Sequence, residues 1–466
     1  MSMQGLLSSA TQPLAPPKRK ALAHIPGDEG WPVIGRTLQV LADPKGEVER
    51  MAAAHGLVYR SRVLGETSIT MLGPEANELL LFDQTKLFSS THGWGSILGR
   101  LFPRGLMLLD FEEHRLHRRA LSVAFKSGPM KSYLAALDAG IAARVAQWRA
   151  EPGPVLMYPA MKQLTLDLAA TSFLGTGIGP EVDEITRAFV DMVAAAVAPI
   201  RSPWPGTQMA RGVKGRARIV GYFSQQIPIR RASMERAGDQ EGGDDLFSQL
   251  CQATHEDGAL LSTQDIIDHM SFLMMAAHDT LTSSLTSYVA ALAANPDWQQ
   301  KLRDEVMALG VRADEAVTFD QLAAMPLNEM AFKEAMRQRP PVPSIPRRAT
   351  RDFSFKGFDI PAGTMCGINP LFSHHMPEIW PDPDAFDPMR FTDEAQRTRH
   401  RFAWVPFGGG AHMCLGLHFA YMQAKCFARH FLQNLTVSLP PGYSPQWQMW
   451  PIPKPKDGLQ VVLERI

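Results

Sequence analysis

A short glycine-rich segment near the C-terminus constrains the fold most. Residues 407–416 read Phe-Gly-Gly-Gly-Ala-His-Met-Cys-Leu-Gly, and the run from there to about Asn434 has apolar residues at alternating spacings of three and four. That spacing predicts a helix packed on a core. Cys414 then lies at the helix N-terminus, where free N–H groups and the helix dipole favour a thiolate. Because glycine has no Cβ, the segment can fold closely around a bulky partner. The pattern predicts a metal ligand or a nucleophile.

Taken alone, a cysteine in this position has simpler explanations. It can be a small buried residue, which is the commonest fate of a single cysteine. It can also join His412 and His418 in a zinc site, although a second pair of cysteines is missing. A catalytic nucleophile would need a partnered base, which spacing alone does not show.

The spacing of the aromatic residue, the glycines and the histidine around Cys414 resembles the haem-ligand loop of the cytochrome P450 family. The resemblance implies that Cys414 is the thiolate ligand of the iron in haem b, the iron protoporphyrin IX cofactor. It implies a haem-thiolate monooxygenase that activates O2. It also implies contacts to the haem or its ligand loop from these residues: Phe407, Gly408, Gly410, His412 and Gly416.

Composition and termini bear on the class of protein. Lys+Arg and Asp+Glu balance at 47 each, so no nucleic-acid partner is expected, and four cysteines make no disulfide framework. We expect a soluble, cytoplasmic protein of bacterial type, because the N-terminus shows neither a signal peptide nor the membrane anchor of eukaryotic relatives. We also expect a monomer. No flavin or ferredoxin module follows Ile466. Electrons are therefore expected from NAD(P)H through a reductase and a separate ferredoxin- or flavodoxin-type donor.

Most of the chain has helical periodicity, which predicts a mostly α fold with a small β-rich lobe. The resemblance implies a triangular helical prism with haem between a long central helix and the cysteine loop. We predict a flexible tail at 1–24 and a single catalytic domain at 25–466. Alternating residues at 58–63 and 68–72 predict a β-hairpin. A capping pattern at Ser262 and a stop at Asn295-Pro296 bound the long helix.

Basic residues at three places are candidate partners of the haem propionates. His114 and Arg118 are i and i+4 on a predicted helix beginning near Glu112, which in isolation is a solvated basic face. The resemblance assigns both to a propionate, with His114 in place of the commoner Trp, and adds Arg347 and His412. Arginine suits a carboxylate because its forked donors match the two oxygens.

An Asp-Thr pair interrupts the long apolar helix at Ala276-Ala-His-Asp-Thr280. Both residue types prefer caps and turns, so a polar helix face is the plain reading. The resemblance makes this the oxygen-activation motif, with Ala276 beside the haem, Thr280 hydrogen-bonding dioxygen and Asp279 relaying protons. The family's usual glycine is Ala277 here, which puts the detail of water and oxygen placement in doubt. His278 is expected to be a spectator.

Glu334 and Arg337 are i and i+3 on a predicted helix and would ordinarily be a weak surface pair. The resemblance instead implies a buried structural network with Arg390. We expect Glu334→Ala or Arg337→Ala to lose haem and fold, because a buried charge left without its partner is costly.

The resemblance also locates a substrate cavity, and its predicted lining is apolar, which predicts a lipophilic substrate. The lining residues are Trp94, Ile97, Leu98, Leu101, Phe102, Phe272, Met275, Val342, Ile345, Met449 and Ile452. Residues 88–99 and 340–343 are more similar to the retinoic-acid hydroxylase and sterol demethylase branch than to the camphor type. We therefore predict hydroxylation or epoxidation of a terpenoid, retinoid or steroid-like molecule, and Arg100 or Arg104 could meet a carboxylate.

Two alternative functions stay open at this point. One is a fatty-acid hydroxylase or peroxygenase of the same fold, although a peroxygenase is expected to carry Arg-Pro where this chain has Asp279-Thr280. The other is a non-catalytic haem-thiolate binding or sensor protein, for which no DNA-binding or signalling segment is visible.

Overall fold

The computed structural model describes residues 14–175, 180–198, 200–237 and 245–466, so the first 13 residues of the predicted tail lie outside it. The described end of that tail includes a turn of 3-10 helix at Arg19–Leu22, in which Leu22 is buried. Packed structure therefore starts before residue 25. No helix in these ranges combines the length and apolar character needed to cross a membrane.

Helices dominate the described ranges, which confirms the predicted mostly α fold. The α-helices are α1 (Thr37–Ala42), α2 (Pro44–His55), α3 (Pro74–Leu81), α4 (Ser90–Leu98), α5 (Phe111–Ser122), α6 (Ser127–Ala150), α7 (Met157–Ala169), α8 (Pro180–Ala196), α9 (Gln208–Ala237), α10 (Leu246–Gln252), α11 (Thr263–Ala294), α12 (Pro296–Ala308), α13 (Phe319–Ala323), α14 (Pro326–Gln338), α15 (Pro370–Ser373), α16 (Asp393–Thr398) and α17 (Leu417–Asn434). A π-helical turn, Ala170–Leu174, extends α7.

The strands form small sheets beside the helices. They are β1 (Gly27–Asp28), β2 (Val58–Val63), β3 (Glu66–Met71), β4 (Phe88–Ser89), β5 (Gly153–Leu156), β6 (Ile345–Ala349), β7 (Phe353–Phe355), β8 (Phe358–Ile360), β9 (Met365–Ile368), β10 (Leu435–Ser438), β11 (Trp447–Gln448), β12 (Lys454–Pro455) and β13 (Gln460–Arg465). The largest sheet has the order β1-β2-β3-β9-β6-β4, and β10-β13-β5 form a second.

The predicted hairpin is confirmed as β2 and β3. Val58 pairs with Met71 and Val63 with Glu66 in antiparallel register. Leu64 and Gly65 form the turn with φ of 52° and 83°, the left-handed values that a two-residue hairpin turn requires. Strands β6 and β9 join this hairpin in one sheet, so the predicted β-rich lobe is assembled from distant parts of the chain.

The long helix α11 runs through the main hydrophobic core. Its Ser262 N-cap accepts a hydrogen bond from the Asp265 N–H, as the sequence predicts. At 32 residues the helix is about 48 Å long. Its buried hydroxyl groups bond mainly to carbonyls one turn earlier, whereas Ser283 Oγ donates to Pro453 O at 2.6 Å. The turn between β11 and β12 is thereby attached to the middle of the central helix.

Candidate active site

The cysteine loop is held by backbone hydrogen bonds and by close contact with α3. Cys414 N donates to Phe407 O at 2.9 Å, and the loop ends at Gly416, the N-cap of α17. Gly410 has a φ of 60°, and a Cβ there would lie 2.0 Å from Leu81 O. Only glycine fits that approach. The loop therefore presents Cys414 at a fixed position just ahead of the helix.

Cys414 is the exposed cysteine of this chain, whereas Cys251, Cys366 and Cys426 are buried. Desolvation nevertheless raises the pKa of the Cys414 thiol, against opposing effects from the Gly416 backbone and Arg118. The side chain thus faces a space that protein surrounds. The thiolate predicted at this helix N-terminus stays a prediction. A metal cation bound at the sulfur would deprotonate it.

Two histidines and two arginines lie close together at this loop. The rings of His114 and His412 stack with centroids 3.9 Å apart. Burial, followed by the charge of Arg118, lowers the pKa of His114 to about 4, and His412 also has a pKa well below the usual value. Both rings are therefore neutral at neutral pH and can donate one N–H each.

The two arginines at this place have no carboxylate partner. Arg118 and Arg347 form no ion pair within the described ranges, and burial lowers the pKa of Arg347 to about 10. His114 Nε2 is also buried without a hydrogen-bond partner. Buried cations and donors require compensation. A group that carries two carboxylates, as haem does, fits the residues present.

The predicted oxygen-activation motif, Ala276 to Thr280, lies midway along α11. Thr280 Oγ1 donates to Ala276 O at 2.6 Å, so the hydroxyl is held against the helix groove. Ala276, Thr280 and Asp279 are all partly buried. The His278 ring is buried, and its Nδ1 lies 3.0 Å from Asp279 Oδ1 without the alignment of a hydrogen bond.

Asp279 is the acidic group of this motif. Burial raises the pKa of Asp279, but His278 and the positive charges of Lys162 and Lys454 lower it by more. The pKa of this carboxyl is therefore below its usual value. The carboxylate is therefore ionised at neutral pH and is available as a proton acceptor.

The sequence motif around Glu334 assembles as a buried network. Arg337 Nε and Nη2 donate to the two Glu334 carboxylate oxygens at 2.7 and 2.8 Å, and both side chains are fully buried. Arg390 Nε lies 3.4 Å from the same carboxylate, and the Asp387 N–H donates to it at 3.1 Å. Arg337 also donates to the His374 and Pro383 carbonyls, which fixes the segment that precedes the cysteine loop.

None of the predicted cavity-lining residues is exposed. Leu98, Leu101, Phe102, Phe272 and Ile345 are buried, and Trp94, Ile97, Met275, Val342, Met449 and Ile452 are partly buried. Gly105 allows its segment to approach α11, because a Cβ there would lie 2.4 Å from the Phe272 ring.

The two arginines that could contact a substrate carboxylate have other partners in the fold. Arg104 pairs with Glu113 at 2.8 Å, and Arg100 donates to Arg201 O at 3.2 Å. Arg201 itself donates to the Ala195 and Ala196 carbonyls of α8 and to the Ser96 and Ile97 carbonyls of α4. It therefore ties together the ends of these two helices.

A buried cluster around Cys426 was not predicted from the sequence. Asp138 Oδ1 lies 2.7 Å from His430 Nε2 and 3.4 Å from Cys426 Sγ, and all three residues are buried. The i, i+4 spacing of Cys426 and His430 was the available signal. Arg429 Nη1 lies 4.0 Å from Asp138 and already supplies positive charge. This cluster fits a satisfied structural network.

Comparison with known proteins decides the family. The cytochrome P450 family model matches residues 25–462. The chain belongs to the cytochrome P450 family. Putative cytochrome P450 136 of Mycobacterium tuberculosis is 36% identical over 454 residues, which cover 96% of this chain and 90% of that protein. Putative cytochrome P450 120 of Synechocystis is 30% identical over 97% of this chain and 99% of its own length.

A solved structure agrees with the fold. The retinoic acid-bound cyanobacterial CYP120A1 has a TM-score of 0.84 and 29% identity, with 97% of this chain and 100% of that chain covered. The chain is therefore a haem-thiolate monooxygenase of the cytochrome P450 type. The fold implies a lipophilic substrate and separate redox partners.

Proposed function

We propose that this cytochrome P450 hydroxylates or epoxidises a terpenoid, retinoid or steroid-like molecule, with Cys414 as the haem ligand. Haem held by Cys414 supplies the iron at which O2 is reduced and cleaved. The observation that carries the proposal is the proximity of Cys414 to the buried Arg347 and the partly buried Arg118, which have no carboxylate partner in the described ranges. Arg118 and Arg347 would bind the propionates, with His114 and His412 as further donors.

The residues on α11 would handle dioxygen and protons. Thr280 presents a hydroxyl that now donates to Ala276 O and would donate to dioxygen instead. Asp279, ionised under the positive charge of Lys162 and Lys454, would relay protons from solvent. This Asp-Thr pair favours monooxygenation with donated electrons, for which a ferredoxin- or flavodoxin-type protein is the proposed donor.

The substrate class rests on the cavity residues and on one relative. The proposed lining is apolar, so binding would come mainly from burial of lipophilic surface. The similar CYP120A1 structure holds retinoic acid, which supports a retinoid or a molecule of comparable size.

An absorption experiment tests both parts. The CO-bound reduced spectrum reports the thiolate ligand, and Cys414→Ala should abolish its thiolate form. Titration with retinoids, terpenes, steroids and fatty acids should shift the iron toward high spin with one class. A thiolate spectrum that survives in Cys414→Ala would refute the ligand assignment, and a shift with fatty acids alone would replace the proposed substrate class.

A further inference from the structure

Arg339 is another arginine without an ion pair in the described ranges, in addition to Arg118 and Arg347 beside the cysteine loop. It directly follows α14, and its guanidinium carbon lies 4.4 Å from the centre of the Trp447 ring. Burial lowers its pKa to about 10, and nothing else is found to shift it. In the described ranges its guanidinium has neither an ion pair nor a hydrogen bond. The side chain is partly buried, and stacking on Trp447 compensates its loss of hydration only in part.

Trp447 adds a second unsatisfied donor at the same place. Its indole Nε1 is buried and has no hydrogen-bond partner. A buried N–H without an acceptor is unfavourable, because it has lost its hydrogen bond to water. Because the guanidinium and the indole are in contact, one acceptor bound beside them would compensate both groups. A carboxylate is suited to this, because it accepts several hydrogen bonds and carries the charge that Arg339 lacks.

The chain connects this pair directly to segments of the proposed cavity lining. Arg339 immediately precedes 340–345, the segment that contains the lining residues Val342 and Ile345. Trp447 begins β11, and the turn after β11 is attached to α11 through Ser283 and Pro453, one helical turn beyond Thr280. Both residues therefore adjoin, along the chain, segments of the proposed lining, and the segment after Trp447 is attached to α11 near Thr280.

Other arginines near the cavity are already neutralised. Arg104 pairs with Glu113, Arg216 pairs with Asp268, and Arg201 donates to helix carbonyls. Arg339 differs from them in having its full charge available to a ligand.

We propose that Arg339 and Trp447 bind a carboxylate of the substrate, so that the enzyme acts on a lipophilic carboxylic acid. This proposal rests on the proposed function and narrows its substrate class to lipophilic carboxylic acids. The acid end is held at the Arg339–Trp447 pair, and the opposite, apolar end is directed toward Thr280. The site of oxidation is therefore remote from the carboxylate.

Matched acids and esters test the proposal by spectral titration. The probes are retinoic acid with methyl retinoate and palmitic acid with methyl palmitate. The wild-type protein should bind at least one acid about 10-fold to 100-fold more tightly than its ester, the range of hydrogen bonds to a charged group. Arg339→Gln should bring the ratio near one, whereas Arg339→Lys should retain part of it. Trp447→Phe keeps the stacked ring and should lower acid affinity only a few-fold.

The controls separate this proposal from the broader one. Each variant is first checked for an unchanged CO-bound thiolate spectrum and melting temperature, and Trp447→Phe and Arg339→Lys suffice if Arg339→Gln does not fold. Loss of the thiolate spectrum in the wild-type protein would count against the haem assignment. Equal affinity for acid and ester in the wild type, or an unchanged ratio in Arg339→Gln, would overturn carboxylate recognition while leaving the haem assignment intact.

Discussion

Glu334→Gln should destabilise the protein strongly although it preserves the shape of the side chain. The substitution removes the only carboxylate that contacts Arg337 and Arg390 in the network described, while the fully buried Arg337 guanidinium keeps just carbonyl acceptors such as His374 O. Breaking a buried ion pair from one side costs about 3–5 kcal/mol. Since whole domains are stable by about 5–15 kcal/mol, this is a large share of the total.

The assay is urea unfolding followed by far-UV circular dichroism, with haem content measured from the CO-bound spectrum. Glu329→Gln is a matched control on the same helix, because Glu329 pairs with Lys333 and Lys425 at 2.9 Å but is 27% exposed. Pairs that keep some exposure contribute less than fully buried ones, so this variant should unfold closer to the wild type than Glu334→Gln does. A Glu334→Gln protein that unfolds within about 1 kcal/mol of the wild type and keeps its haem would refute the structural role of the network.

Three further outcomes follow from the site. Cys414→Ser should shift the CO-bound absorption maximum away from the thiolate position, because a hydroxyl is a far weaker donor than a thiolate; an unchanged maximum would place the ligand elsewhere. Thr280→Ala should retain haem and substrate binding but release hydrogen peroxide in place of product, measured as peroxide formed per NAD(P)H consumed; full coupling would show that the hydroxyl is dispensable. Arg347→Gln should speed haem transfer to apomyoglobin by about 10-fold or more, since a charged hydrogen bond is worth about 1.5–3 kcal/mol; an unchanged transfer rate would remove Arg347 from the propionate site.

Local patterns in the sequence predict much of the fold. The Ser262 cap and the Asn295-Pro296 stop bound α11 closely, because capping and proline act within one turn of the chain. Alternation with Gly65 in the turn predicts the β2–β3 hairpin for the same reason. Glu334 and Arg337 share one helix face, so their pairing is local as well.

Properties that depend on the tertiary environment were not predictable in this way. The direction of the Cys414 pKa is set by desolvation, which arises from many distant residues together. The stacking of Arg339 on Trp447 joins two remote segments, and nothing in either segment indicates the other. Arg104 has the positive charge that a substrate carboxylate would need, but in the fold it pairs with Glu113 and Asp265.

The hydrogen bonds of Arg201 bear on how fast molecules enter and leave the cavity. One guanidinium group holds carbonyls at the ends of both α4 and α8, segments that contribute to or adjoin the proposed cavity wall. Movement of one helix end away from the other requires loss of the Arg201 hydrogen bonds to at least one of them. These bonds therefore oppose separation of α4 from α8, and any entry of molecules between the two helix ends must first break them.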